Sequence, residues 1–554
     1  MKIEHIAFQA GSSADSDPLS INPGKMTIFI GPNNGGKSRA LAEIQQALIP
    51  VTGYVKKVIS LAIRSDIDDT ELQFKIDKMK RPKIAGENPS ENSVAIQARG
   101  GRTLLDTNYL KNRINDKNDA SALQYVGNLL QSFFLNLDGS SRLSLANSVQ
   151  AEPLGTPPNN TISKLFGDNE LRARISEIIY KGFNQYLVVD PTQLPQIGYR
   201  LSSTPPIGNV EKNLELSSIE FFRHAMPLAE ASDGTKAFVG LLTEVMAGDP
   251  DIIFVDEPEA FLHPALQFLL GQQIAGNITD DKQVFAATHS SSFLLGCVLS
   301  GVDVDIIRLT HRSGVASARH LKADRLKNLM TDPLFRSVNA ASALFFESAV
   351  VVEGDSDRAF YDEINVRMSR FSEHNLQHAL FLNAHNKQTV VNIVRPLRDI
   401  GIPAAFILDI DWIKEDGQVW DRYFGAIGAP AGLKDGFSNM RRSVRESLSA
   451  ADPNYKRNGG VDLLHGDERL TADAFFDQLE KYGLFTVRRG ELESWLPQLA
   501  VDRSKNRWLE SIFHAMGSDP SESSYLKPDT DDVWAFLGRI AGWVNDANRR
   551  GMPV

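Results

Sequence analysis

The sequence predicts an α/β protein with two parallel sheets in succession, the first interrupted by a large helical insertion. Three observations carry that expectation. A glycine-rich loop, Gly31 to Ser38, stands between an apolar strand and a helix. Apolar strands ending in polar residues alternate with helices over 226–310, and a second alternation of the same kind begins near 345. Such alternation argues for parallel strands joined by helical crossovers.

Taken in order, residues 2–9 and 25–30 read as short strands and 38–49 as the helix after the loop. Residues 52–225 mix helical segments with turn-rich tracts such as QARGGR and STPPIGN, and read as an insertion inside the first sheet. DIIFVDEP and QVFAATHS are strand-then-loop patterns, with the helix ALQFLLGQQIAG between them. In the second set, SAVVVEG, HALFLNA and PAAFILDID read as strands separated by two helices. The polar stretch 430–480 reads as loops with short helices, and DDVWAFLGRIAGWVNDA as a terminal helix with apolar residues at helical spacing. The expected domains are 1–335, 336–510 and a C-terminal helical segment, 511–554.

With 554 residues the chain suits about three folding units, at roughly 100–200 residues each. Its 42% hydrophobic content is that of a globular protein with sizeable cores. A formal charge of -10 excludes bulk polyanion binding by the whole molecule, although a local basic groove suffices for phosphate contacts. Basic clusters occur at Lys75, Lys78, Lys80, Arg81 and Lys83, at Arg441-Arg442 and at Arg488-Arg489; each reads first as solvated surface. The single cysteine, Cys297, excludes internal disulfides and multi-cysteine zinc sites and fits a reducing compartment. No signal peptide is evident, and no run of about 18 apolar residues suggests a membrane span. The expectation is a cytoplasmic protein without membrane contact.

Gly31, Asn33, Asn34, Gly35, Gly36, Lys37 and Ser38 fall within the pattern G-x-x-x-x-G-K-[ST]. Its glycines turn backbone N–H groups toward phosphates, and the following helix presents its positive N-terminus to them. Lys37 reaches the β- and γ-phosphates of ATP, and the Ser38 hydroxyl ligates Mg²⁺. Residues 252–257, IIFVDE, form a buried strand with two carboxylates at its end. Asp256 can hold the Mg²⁺ through water, and Glu257 can take a proton from the attacking water. An apolar run ending in two acids is by itself an ordinary strand and turn; downstream of the glycine-rich loop it gains meaning. Ala231-Ser232-Asp233-Gly234-Thr235 opens a helix just upstream, and His289 follows the strand VFAAT.

Together these motifs resemble those of ABC-type ATPases of the SMC and DNA-repair class, without the long coiled-coil arms, over about 1–50 and 225–310. The resemblance implies that Ser232 and Gly234 belong to a signature loop, with Asp233 where glycine is usual. Such a loop grips the γ-phosphate of a nucleotide on another subunit, so a homodimer or larger assembly is expected. It also implies that His289 contacts the γ-phosphate. The Q-loop glutamine falls inside the insertion and has no local motif to identify it.

A second set of carboxylates follows. One strand delivers Glu353 to a turn, with Asp357 four positions on; another ends in Asp409-Ile410-Asp411. Positions i and i+2 of a strand face the same side, so Asp409 and Asp411 are expected to converge on one metal. Glu491 and Glu493 form a third acidic site. Converging carboxylates are what a two-metal phosphodiester site needs. The order strand-Glu-Gly, helix, strand, helix, strand-Asp-x-Asp resembles the TOPRIM domain of topoisomerases, primases and nucleases. An ABC-type ATPase followed by TOPRIM resembles the OLD-family nucleases, including the nuclease subunit of Gabija-type phage defence. That resemblance implies a metal-binding set of Glu353, Asp357, Asp409, Asp411 and Glu493, with Glu491 beside them. It also implies a transition-state lysine after the last acidic motif, for which Lys505 and Lys527 are candidates; Lys387 is a further basic group near the sheet.

The expected function is an ATP-regulated, Mg²⁺-dependent DNA endonuclease in phage defence, with Glu257, His289, Glu353, Asp409 and Asp411 as its catalytic residues. The chain also resembles, less specifically, ATPase subunits of Septu-type and retron-associated systems, which pair with a separate HNH nuclease. On that alternative it is a sensor and scaffold with a partner nuclease. A repair ATPase without nuclease activity is the third reading.

Overall fold

The computed structural model describes residues 1–553 apart from 14–15, 50–54, 83, 85–86, 88–91, 99–100, 117–125, 128, 152–156, 313 and 506. It divides into two compact units, Met1–Lys327 and Asn328–Val554, a little before the expected boundary at 335.

The first unit is built on a six-stranded sheet. Its strand order is Val315–Leu321, Val304–Arg312, Met26–Ile30, Gln283–Ala287, Ile252–Asp256 and Phe134–Leu137. All neighbours are parallel except the antiparallel Val315–Leu321 edge. Met26–Ile30, Gln283–Ala287 and most of Ile252–Asp256 are buried, which explains why they read as unbroken apolar runs. Because the central strands are parallel, the glycine-rich loop, Asp256 and His289 all follow strand C-termini at one sheet edge, where open α/β sheets bind ligands. The loop's helix, Lys37–Leu48, buries Ala40, Leu41, Ile44 and Leu48 on one face. Ile3–Phe8 pairs with Ser20–Ile21 and Ile59–Arg64 in a separate antiparallel sheet.

The region 52–225, expected as a helical insertion, holds helices such as Asn169–Phe183 but also strands. Phe134–Leu137 completes the main sheet beside the acidic strand, and Ile59–Arg64 belongs to the small one. Tyr186–Asp190 and Gln196–Ser202 form part of another antiparallel sheet. Only part of the region is therefore an excursion from the fold.

The second unit holds a four-stranded parallel sheet, ordered Ala379–Asn383, Ser348–Val352, Ala404–Asp409 and Leu484–Val487. The stretch 430–480 differs from the expectation of loops with short helices. It carries two long helices, Lys434–Ala451 and Gly466–Glu480. The first buries Phe437, Arg441, Val444 and Leu448, a helical stripe in which a buried arginine masks the apolar period. The terminal helix Asp532–Asn545 packs into the same core as Val350, Phe360 and Phe485. Among the described residues, no helix is long and apolar enough to cross a membrane.

Many residues of the basic clusters are held in ion pairs. Lys75 pairs with Asp251, and Lys78 lies 3.8 Å from Asp249. Arg441 is buried against the Ile413 carbonyl at 2.8 Å and Asp416 at 2.9 Å. Arg488 pairs with Asp477 and Glu480, and Arg489 with Asp462. Lys83 lies outside the described residues. Cys297 is fully buried, and burial pushes its thiol well above the usual range.

Candidate functional sites

The first site is the loop Gly31–Ser38. Gly31 (φ 136°) and Gly36 (φ 91°) adopt left-handed backbone that side-chain-bearing residues avoid. A Cβ on Gly31 would also meet the Leu309 carbonyl at 2.0 Å, so the close approach of two strands demands glycine there. Asn34 takes φ 61°, a conformation asparagine tolerates, and like Asn33 is exposed. Lys37 is buried, its Nζ donating to the carbonyls of Gly31 at 3.0 Å and Pro32 at 2.8 Å. Burial lowers its pKa to about 8, against the raising effect of Asp256, Glu259 and Glu257. A cavity of about 370 Å³ opens beside the loop, lined by Asn34, Gly36, Arg39, Lys57 and Thr310 among others.

Ser38 Oγ donates to Asp256 Oδ1 at 3.1 Å, bringing the two expected Mg²⁺ oxygens together. Burial raises the Asp256 carboxyl, and Glu257 adds repulsion. Glu257 is exposed and sits at φ 52°. Its carbonyl accepts from Arg142 Nη1 at 2.6 Å. Arg142 is fully buried in the one-turn helix Ser141–Ser144 after the sheet's edge strand; local sequence gives no sign of that role.

Glu259 is another residue that sequence reasoning missed. It accepts from Thr288 Oγ1 at 2.7 Å and from the His289 backbone N–H at 2.6 Å. The His289 ring is exposed, and partial burial together with the Lys37 charge lowers its pKa. Glu259 thus ties the acidic strand to the histidine turn. Its position two residues after Glu257 was the only available signal.

Ser232 caps the helix Asp233–Ala247, with Thr235 N–H donating to its Oγ at 3.3 Å. Asp233 pairs with Lys236 at 2.8 Å. A Cβ on Gly234 would meet the Phe261 carbonyl at 2.5 Å, so glycine is needed for packing there.

The second site lies at the C-terminal edge of the parallel sheet in the other unit. Carboxylate oxygens of Glu353, Asp409 and Asp411 lie within 4.8 Å of one another. Asp409 and Asp411 do not share a strand as expected. The strand ends at Asp409, and Asp411 lies in a 3-10 turn, Ile410–Lys414. That turn, rather than the two-residue strand period, brings the carboxylates together. Glu353 Oε1 accepts from the Asp409 backbone N–H at 2.9 Å, and Ile410 N–H donates to the Gly490 carbonyl at 2.9 Å.

Burial and the Asp409 charge raise the Glu353 carboxyl to about 8 and that of Asp357 to about 7. Glu493 is raised by burial, with repulsion from Glu491 and Asp409. Asp357 and Glu493 therefore feel the cluster, but its converging oxygens come from the other three among the described residues. Asp409 Oδ1 is buried without a hydrogen-bond partner. An orphaned carboxylate oxygen among like charges is the setting a hard cation fits.

Of the basic candidates, Lys505 lies 3.5 Å from Glu491, whereas Lys527 stacks over the Phe371 ring. Lys387 lies 3.1 Å from Asp411 and 3.0 Å from Glu415. Lys456, unmarked by any motif, is 2.9 Å from both Asp409 and Asp411. Beside it a cavity of about 780 Å³ is lined by Arg457, Glu491, Glu493, Arg503, Lys505 and Arg507 among others.

Residues 26–295 match a family of AAA domains described as putative AbiEii toxin, Type IV TA system. Residues 344–411 match the Overcoming lysogenization defect protein-like TOPRIM domain. No curated protein matches the chain. Similar solved structures include the SmcHead bound to the C-winged helix domain of ScpA, at 13% identity and TM-score 0.33, over 59% of this chain and 100% of that one. The SMC head domain from Thermotoga maritima matches at 12% identity and TM-score 0.30, over 58% of this chain and 100% of that one. This chain thus joins an AAA-type ATPase domain, on a P-loop sheet, to an OLD-like TOPRIM domain on its own parallel sheet.

Proposed function

We propose that the protein is an ATP-regulated, Mg²⁺-dependent DNA endonuclease that works in the cytoplasm as at least a homodimer, in defence against phage. The observation that carries this reading is the convergence of Glu353, Asp409 and Asp411 around the unpartnered Asp409 Oδ1. Bound Mg²⁺ supplies activation of water and neutralisation of the leaving oxygen. Glu353, Asp409 and Asp411 hold it, with Asp357 and Glu493 completing the acidic surround. The basic residues lining the adjoining cavity, Arg457, Arg503, Lys505 and Arg507, suit the phosphates of a DNA backbone.

In the first unit, Lys37 binds the β- and γ-phosphates of ATP, and Ser38 and Asp256 provide the metal's oxygens. Glu257 accepts the proton of the attacking water, while Glu259 holds the backbone from which His289 reaches the γ-phosphate. Ser232 and Gly234 serve a nucleotide on a second copy of the chain. The toxin description attached to the matching ATPase family supports a defence role.

The test is pure protein incubated with plasmid, with and without Mg²⁺ and ATP. Metal-dependent nicking or linearisation is the expected result. No cleavage under any nucleotide or metal condition overturns the nuclease reading and leaves an ATPase sensor that needs a separate nuclease.

A further inference from the structure

Lys456 and Lys387 both meet the acidic cluster, but on different terms. Lys387 divides its ammonium between Asp411 and Glu415, at 3.1 and 3.0 Å, and Glu415 stands outside the three converging acids. The carboxylates that pair with Lys456 are Asp409, through Oδ2, and Asp411, through Oδ1, each at 2.9 Å.

The backbone that presents Lys456 packs closely on Gly490. A Cβ on Gly490 (φ 129°) would meet the Lys456 carbonyl at 1.9 Å, and Gly490 in turn accepts from Ile410 N–H. The side chain is not confined in the same way. It lines the 780 Å³ cavity, alongside Arg457, Ser504 and Arg507. A lysine is a point charge on a flexible four-carbon stem, so it can leave two carboxylates without breaking a bidentate fork.

An ammonium bridging Asp409 and Asp411 occupies oxygens that a hard cation needs, and two cations exclude each other from one carboxylate pair. We propose that Lys456 is a built-in counter-cation of the second site, holding Asp409 and Asp411 until a divalent ion displaces it toward the adjoining cavity. This rests on the reading of Glu353, Asp409 and Asp411 as the metal site. Lys456 then sets how tightly metal binds, and its release delivers a positive charge to the cavity wall. An ordinary ion pair predicts the reverse: removing Lys456 should loosen the cluster and weaken metal binding.

The experiment is Mn²⁺ titration followed by electron paramagnetic resonance, on the full chain without nucleotide or DNA. It compares wild type, Lys456→Met, Lys456→Ala and the double variant Asp409→Ala/Asp411→Ala. Met retains the stem without the charge, so it guards against loss of packing in the Ala variant. Circular dichroism melts verify folding. Both Lys456 variants should bind Mn²⁺ about tenfold or more tightly than wild type, as expected when a like charge leaves a site. The double variant should lose the ion. Unchanged or weaker binding in both Lys456 variants, with wild-type binding still dependent on Asp409 and Asp411, overturns the counter-cation role and leaves the metal site standing. Absence of Asp409- and Asp411-dependent binding in every protein overturns both.

Discussion

The Ser38 hydroxyl donates to Asp256 Oδ1 at 3.1 Å, so residues 218 positions apart share one corner of the nucleotide site. Both are hard oxygen ligands of the kind Mg²⁺ prefers. Ser38→Ala should therefore weaken ATP binding in Mg²⁺ much more than in EDTA. Calorimetric titration under the two conditions measures this. An equal loss in both would detach Ser38 from the metal.

Lys37 gives ATP binding a pH dependence. Its pKa in the nucleotide-free protein is lowered to about 8 by burial, and phosphate charge must raise it again on binding. Binding is then coupled to proton uptake: affinity is full below pH 8 and falls as pH rises above it. Between pH 7 and pH 9 the dissociation constant should rise about tenfold, because roughly a tenth of the lysine stays protonated one unit above its pKa. Lys37→Ala should abolish nucleotide binding with the fold intact. Unchanged ATP affinity in that variant would defeat the assignment.

Glu257 and Glu259 separate by their partners. Glu257→Gln keeps the shape but removes the proton acceptor, so hydrolysis should slow by about 100- to 10,000-fold with ATP still bound. Glu259→Ala should act through position. It leaves the His289 N–H and the Thr288 hydroxyl without their acceptor, a cost of about 1–3 kcal/mol in stability. Single-turnover hydrolysis and thermal melts on both variants distinguish them. A Glu257→Gln enzyme slowed by less than threefold would assign the base elsewhere.

The contrast between these two acids also shows what the sequence made readable. Asp256 (with Glu257 after it), Glu353 and Asp409 each follow an apolar run, and the abrupt change from apolar to charged residues marks a strand leaving a buried sheet. Glu259, Arg142 and Lys456 have no such marker, because their roles come from contacts made far along the chain. Lys456 meets Asp411 across 45 positions, through a helix packed on Gly490. Asp411 does lie beside Asp409, but a 3-10 turn brings it there where the sequence pattern suggests a strand period. The helices at 434–451 and 466–480 were hidden by polar composition; Arg441 buries its charge by binding backbone carbonyls and Asp416.

The proposed role of the loop Ala231–Thr235 toward a second copy of the chain predicts assembly. Ser232 is exposed at the N-terminus of a 15-residue helix and has Thr235 as its partner within the chain. A helix start of this kind is suited to phosphate from another copy. Glu257→Gln protein in ATP should run as a dimer or larger by light scattering, and Ser232→Arg should prevent the ATP-dependent association. A strictly monomeric particle with full ATPase activity would contradict the loop's role.

The two activities should come apart in the second site. Asp409→Ala/Asp411→Ala removes two of three converging carboxylates while leaving Lys37, Ser38, Asp256 and Glu257 untouched. DNA cleavage should disappear, and ATP binding and hydrolysis should remain near wild type. Glu353→Ala should lose cleavage too, because it removes a ligand and also leaves the Asp409 N–H without its acceptor at the strand end. Metal preference should follow hard oxygen ligation: Mg²⁺ or Mn²⁺ supports cutting, and Ca²⁺ binds but supports it poorly. Plasmid cleavage and phosphate release, measured on the same preparations, give both readouts together. Cleavage that persists in the double variant would come from a co-purifying nuclease, and the acidic cluster would then have no part in it. Loss of both activities at once would mean that the two sites are coupled through stability or assembly, which melts and light scattering on the same variant would reveal.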